Sequence, residues 1–270
     1  MDCSSRRHFL CVAGLGVAGA LLTTRAAAQA PASAGPVDPA LIEDLVAANR
    51  ILVDQGVMDG YGHVSVRHPA DPQRYLMSRS IAPELVTAAD VMEYDLDSTP
   101  VDARGRATYL ERFIHGEIYR ARPDVKAVVH DHSPSVIPFG VSTTPLRPLY
   151  HMSAFLGGGV PVFDIKVAAG QATDMLVRTP ALGRALAQTL GARPVALMRG
   201  HGAVVVADSL PRVVFRSVYT EMNARLQAQA MALGGPVTYL DDEEARRAEA
   251  SVAGTIPRPW ELWKKKALAR

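Results

Sequence analysis

The sequence predicts an α/β fold, one domain built on a mixed central sheet. Three observations carry this expectation. Short β-branched runs are interspersed with amphipathic stretches of helical period. Their order lacks the regular βα alternation of a parallel sheet. No internal repeat divides the chain. The 270 residues suit one large domain or two small ones with ample core. Hydrophobic (48%) and charged (21%) content is that of an ordinary soluble globular chain, so a packed core is expected.

The elements follow in order. Residues 29–37 are rich in Ala, Pro and Gly and read as a flexible lead-in. Asp38 can cap a helix with Pro39 at its first position, running to about Gln55. Leu41, Leu45, Ala48 and Leu52 share its apolar face, and Gly56 ends it. Gly62 to Val66 and Arg74 to Ser78 read as paired strands around a turn at 68–72. Glu84 to Val91 reads as loop with a short helical turn, and Glu93 to Leu96 as a strand. Glu111 to Arg122 reads as a helix that Pro123 stops, with Phe113, Ile114 and Ile118 inward. Strands are expected near 125–130, 160–165 and 194–198, and again over Ala203 to Val206. Thr179-Pro180 starts a helix to about Leu190, and Pro211 to Leu233 is a long helix ended by two glycines. From Tyr239 onward the chain reads as polar helix and tail, with 38–240 as the domain and 241–270 as a C-terminal helical tail.

The N-terminus is set apart from this domain. Ser5-Arg6-Arg7-His8-Phe9-Leu10 precedes an apolar Gly/Ala-rich stretch and a small-residue site at Ala26-Ala27-Ala28. This resembles a twin-arginine export signal over residues 1–28 and implies a periplasmic protein. The apolar stretch is short for a membrane span, which needs about 20 residues. Both cysteines, Cys3 and Cys11, fall in this segment, so a mature chain would lack disulfides and thiolate ligands. Removing the segment leaves the charges balanced. A net charge of +2 for the whole chain already argues against a nucleic-acid surface. The basic run Lys264-Lys265-Lys266 reads as a solvated tail.

Chemistry concentrates in the histidines. His130 and His132 close a β-branched strand in Val-Val-His-Asp-His. Residues i and i+2 of a strand point the same way, so two imidazoles project together as a metal half-site. His201, in Arg-Gly-His-Gly, adds a third imidazole, and its flanking glycines allow a sharp turn. Glu111 adds a carboxylate. Three imidazoles and one acid suit a divalent metal of zinc type, with manganese or iron as alternatives. An open coordination position would mean Lewis-acid chemistry.

These blocks resemble the class II aldolase/adducin family. The matching segments are Gly-His-Val-Ser-Val-Arg at 62–67, Leu-Glu-Arg-Phe-Ile-His at 110–115, Arg-Pro-Asp-Val-Lys-Ala-Val-Val-His-Asp-His at 122–132 and Gly-His-Gly-Ala-Val-Val at 200–205. Their order and spacing agree over nearly all of residues 38–235. The resemblance implies a three-layer α/β/α fold and a homotetramer with active sites between subunits. It implies metal ligation by His130, His132 and His201, and a ligand or proton-transfer role for Glu111.

The departures narrow the substrate. Family aldolases hold a phosphate through an Asn, a Thr-Gly turn and a Ser-Ser pair. Those positions correspond here to His63, Ser80-Ile81 and Tyr109-Leu110. Isoleucine for glycine removes a close backbone approach, and the lost serines remove two donors. A sugar phosphate is therefore not expected. Arg79 in the same turn points to a substrate carboxylate, with His63 and Ser80 as further substrate contacts. The family's catalytic tyrosine, donated by a neighbouring subunit, aligns with His151, a proton carrier suited to neutral pH. His115, one helical turn beyond Glu111, is a candidate to orient that carboxylate.

The combined expectation is a metal-dependent carbon–carbon lyase of aldolase or decarboxylase type. Its substrate would be a small, non-phosphorylated hydroxy or keto acid passing through an enolate-type charge. The branch it resembles contains hydroxy-aromatic acid decarboxylases. A non-haem iron oxygenase of aromatic keto acids and a non-catalytic adducin-like assembly module remain as alternatives. Bound metal would separate the enzymes from the module.

Overall fold

The computed structural model describes residues 30–269. The twin-arginine-type segment at 1–28, with both cysteines, lies outside the described residues. Seven strands form one sheet: β1 (His63–Arg67), β2 (Arg74–Ser78), β3 (Val91–Asp95), β4 (Ala127–Asp131), β5 (Val162–Phe163), β6 (Val195–Met198) and β7 (Gly202–Ala207). Among the described residues, eight α-helices accompany it: α1 (Pro39–Asp54), α2 (Phe113–Ala121), α3 (Ile137–Val141), α4 (Ile165–Ala169), α5 (Pro180–Leu190), α6 (Leu210–Ala232), α7 (Asp242–Ala253) and α8 (Pro257–Leu268). The strand order is β3-β2-β1-β4-β7-β6-β5, antiparallel throughout except for β5 beside β6. The sheet is therefore mixed, as the absence of regular βα alternation implied.

Strand periodicity divides the core into two layers. Val64, Val66, Ala127, Val129, Val205 and Ala207 face one side and pack with α1, α6 and α8. Tyr75, Met77, Val128, Ala196, Val204 and Val206 face the other and pack with α2 and α5. Helices cover both faces, which gives the three-layer arrangement. The caps behave as their residues demand. The Asp38 side chain accepts from Ala40 N–H at the start of α1, and Thr179 accepts from Leu182 N–H at the start of α5.

Four expectations change. The helix after position 111 begins only at Phe113, so Glu111 sits in a turn whose carbonyl accepts from Ile114 N–H. The strand expected over 160–165 shrinks to two residues, because Asp164 turns away to cap α4. The lead-in is held, not loose: Ser33 Oγ and Ala34 N–H donate to the Glu93 carboxylate, and Arg74 donates to Ala32 O. The C-terminal tail is likewise packed. Trp260, Trp263 and Ala267 of α8 are buried in the core beside α1, and Lys264 pairs with Glu43 and Asp44. Only the polar face of the helix was conspicuous in sequence. Among the described residues, no helix is long and apolar enough to cross a membrane.

Candidate metal centre

The site forms at one end of the sheet, on the α2 side. His63 opens β1 and pairs across the ladder with His130 near the end of β4. His132 follows two residues later, beyond the strand. Asp131, between them, pairs with Ala203 at the start of β7. That pairing brings the tight β6–β7 turn, and with it His201, against the β4 end. Gly200 takes a left-handed φ of 64° in that turn. Gly202 is required for a different reason: a Cβ there would collide with the Asp131 carbonyl and the His132 backbone. Two antiparallel neighbours and one glycine thus bring residues 130, 132 and 201 together.

Glu111, His130, His132 and His201 each offer one ligand atom, all within 4.8 Å of one another. Glu111 Oε2 lies 3.4 Å from both His130 Nε2 and His201 Nε2. His201 Nε2 lies 3.0 Å from His132 Nε2. The outer nitrogens are anchored to backbone. His130 Nδ1–H donates to Ala203 O at 3.0 Å, and His201 Nδ1–H donates to Met175 O at 2.9 Å. Those bonds fix the tautomer and turn both Nε2 atoms toward the cluster. Glu111 Oε1 is likewise held, accepting from Val177 N–H at 2.9 Å, which frees Oε2.

A divalent cation fits this donor set. His130 Nε2 is buried and makes no hydrogen bond, a costly state for a lone pair without a partner. Burial, then His130 and His201, push the pKa of His132 down to about 4, which keeps its ring neutral and able to ligate. Burial opposes charge on His201, but the Glu111 carboxylate outweighs it and raises its pKa. A cation would take the place of that proton. Burial alone would raise the Glu111 carboxyl, yet His130 and His201 together hold it well below the usual carboxylate range.

A cavity of about 480 Å³ opens onto the cluster. Tyr61, Ile81, Tyr109, Leu110 and Leu176 supply apolar walls, with His63, Ser80, Glu111, His130 and His132 among its polar lining. In the sequence, Tyr109 and Leu110 stand out only as missing serines, and Tyr61 not at all. Nothing in their local pattern marks a wall assembled from four separate segments.

Two anticipated residues are placed differently from expectation. Arg79 does not line this cavity; its Nε donates to Asp90 at 2.5 Å, so the guanidinium is already paired with a carboxylate. His115 does not contact Glu111. It bonds His63 Nδ1 and Ser65 Oγ instead, because α2 starts too late to put residues 111 and 115 on one helical face. His151 lies in a second cavity with Arg212, Arg216 and Glu249, away from the cluster within one chain. Ser80 does line the cavity, but its N–H is committed to Ala107 O at 2.8 Å.

The profile described as Class II Aldolase and Adducin N-terminal domain matches residues 43–228. Decarboxylase tropJ of Talaromyces stipitatus is 37% identical over 244 residues, covering 82% of this chain and 92% of that one. A 3,4-dihydroxyphthalate decarboxylase of Arthrobacter keyseri is 31% identical over 217 residues, covering 75% and 83%. Among solved structures, L-fuculose 1-phosphate aldolase from Glaciozyma antarctica superposes with a TM-score of 0.70 at 23% identity, covering 86% of this chain and 93% of that one. The last likeness establishes the fold, and the profile match with the two sequence relatives establishes the lineage: this chain belongs to the class II aldolase and adducin family.

Proposed function

We propose that this protein is a metal-dependent carbon–carbon lyase of the decarboxylase type, acting on a carboxylated hydroxy-aromatic substrate. One observation carries the reading: both backbone N–H groups of the turn that would hold a phosphate are already committed. Ser80 N–H is bonded to Ala107 O, and Ile81 N–H faces Tyr109 Oη at 3.4 Å, while that phenol donates to Ile81 O at 2.7 Å. An aromatic and aliphatic wall takes the place of an anion cradle. A flat ring fits between Tyr109, Ile81, Leu110 and Leu176 at modest desolvation cost. The names of the two decarboxylase relatives agree with this choice.

His130, His132 and His201 would hold the cation, leaving Glu111 Oε2 beside them to move protons. When bound, the cation supplies Lewis-acid stabilisation of negative charge on a substrate oxygen. Glu111 Oε2 takes the proton of the ring hydroxyl. Loss of carbon dioxide leaves the bonding pair on the ring carbon, and Glu111 Oε2 returns its proton there. Burial works toward a higher pKa of the Glu111 carboxyl, against the histidines and the Val177 N–H bond that favour its ionised, proton-accepting form. The apolar walls exclude bulk water from the carbanionic carbon. His151 acts across a subunit boundary of a homotetramer, and the chain works in the periplasm after twin-arginine export.

The test is turnover with metal analysis. Zinc- or manganese-loaded protein should release carbon dioxide from hydroxy-aromatic acids. The His130→Ala/His132→Ala variant should fall from about one metal per chain to none, and lose at least 10³-fold in rate. Aldehyde release without carbon dioxide would replace decarboxylation with aldol cleavage. Oxygen-dependent turnover with iron would replace the lyase with an oxygenase. Failure to bind metal under repeated loading would leave only an assembly module.

A further inference from the structure

A hydrogen-bonded chain runs from the cavity into the core. His63 Nδ1 lies 2.6 Å from His115 Nε2. His115 Nδ1 lies 2.6 Å from Ser65 Oγ, and Ser65 Oγ lies 2.8 Å from Tyr119 Oη. His63, Ser65, His115 and Tyr119 are all buried, at 3%, 0%, 0% and 1% exposure, so no bulk water competes for these bonds. A neutral imidazole has one N–H to donate and one lone pair to accept.

The far end of the chain sets its direction. The Tyr119 phenol has Ser65 Oγ as its side-chain partner, and the Val128 backbone also reaches it as a donor. The phenol proton must go to Ser65. Ser65 then has one acceptor left for its own proton, His115 Nδ1. His115 accordingly carries its proton on Nε2 and donates it to His63 Nδ1. The opposite direction would leave the phenol proton buried without an acceptor, a roughly ten- to hundredfold disfavoured state.

We infer that Tyr119, Ser65 and His115 lock His63 as the Nε2–H tautomer and present that N–H to the cavity as the fixed donor for the substrate's carboxylate. The inference builds on the proposed function and supplies the carboxylate partner that Arg79, paired with Asp90, does not. It makes His115, Ser65 and Tyr119 positioning residues that act through His63. A neutral donor beside neutral imidazoles binds an anion without adding a buried charge next to the cation site.

Nitrogen-15 NMR of zinc-loaded, histidine-labelled protein tests this, with His63→Asn assigning the resonance. Protonated and bare ring nitrogens resonate far apart, so the tautomer is read directly. Wild type should carry the His63 proton on Nε2. In Ser65→Ala the His115 tautomer is no longer biased, and His63 should shift to a mixture. Binding of 3,4-dihydroxybenzoate should weaken about tenfold in that variant, while catechol, the same ring without a carboxylate, should bind unchanged. A wild-type proton on Nδ1, an unaltered tautomer in Ser65→Ala, or equal weakening of both ligands would overturn the inference. The wild-type spectrum decides even if the variant does not fold. It needs no turnover, so inactivity toward hydroxy-aromatic acids would sink the decarboxylase reading and leave the tautomer standing.

Discussion

Asp131 sits between His130 and His132 in sequence and points the other way in space. Strand alternation sends His130 toward α2 and Asp131 toward α6, where it lies 1% exposed near Glu221. Burial, with Glu221 adding repulsion, pushes its carboxyl up to about 8, although Ser133 N–H donates to it. The consequence for stability has a definite sign. Below about pH 4 the carboxyl is protonated in folded and unfolded chains alike. Between about 4 and 8 the unfolded chain ionises and the folded chain resists. Stability from this group is therefore full at low pH and lost as pH rises through 8, at up to about 1.4 kcal/mol per unit. Asp131→Asn keeps an acceptor for Ser133 and removes the titration. Its denaturation midpoint should decline less between pH 4 and 8 than that of wild type, at constant metal saturation. Parallel profiles would show that Asp131 ionises in the folded protein without cost.

At the scale of elements, the site depends on how closely β7 approaches β4. Gly202 permits that approach, since a side chain there would strike the Asp131 carbonyl. Gly202→Ala must part the two strands where His201 leaves the turn, at a strain of roughly 1–3 kcal/mol. If that strain falls on the ligand cluster, metal affinity drops at least about tenfold, with helix and sheet content unchanged by circular dichroism. A chelator competition titration reads the affinity, and an unchanged value would show that His201 reaches the cluster independently of β4. The same elements show what a sequence can reveal. The i, i+2 spacing of His130 and His132 and the caps Asp38 and Thr179 are local signals, and each has a local structural consequence. The wall of Tyr61, Tyr109 and Leu176 and the bond between His115 and His63 are not local. They arise from tertiary packing of segments tens of residues apart. Trp260 and Trp263 were hidden in another way, because a mostly polar helix buries them through one narrow face.

The whole molecule is tied together at this one cluster. Its four residues come from the turn before α2, the end of β4 and the β6–β7 turn, spanning positions 111 to 201. An unfolded chain cannot gather them, so a cation that binds them binds the folded state alone. Its binding energy then adds to folding energy. At free metal one hundredfold above the dissociation constant, the gain is about 2.7 kcal/mol. For a domain of this size that raises the thermal midpoint by roughly 5–10 °C. Protein stripped with a chelator should melt lower by that amount, and added zinc should restore it in a concentration-dependent way. His130→Ala/His132→Ala should show neither the loss nor the recovery. This comparison reads binding without catalysis, so it separates the site from the reaction assigned to it. Equal midpoints for stripped and loaded wild type, with one metal per chain in the loaded sample, would mean that the ion sits where unfolding does not release it.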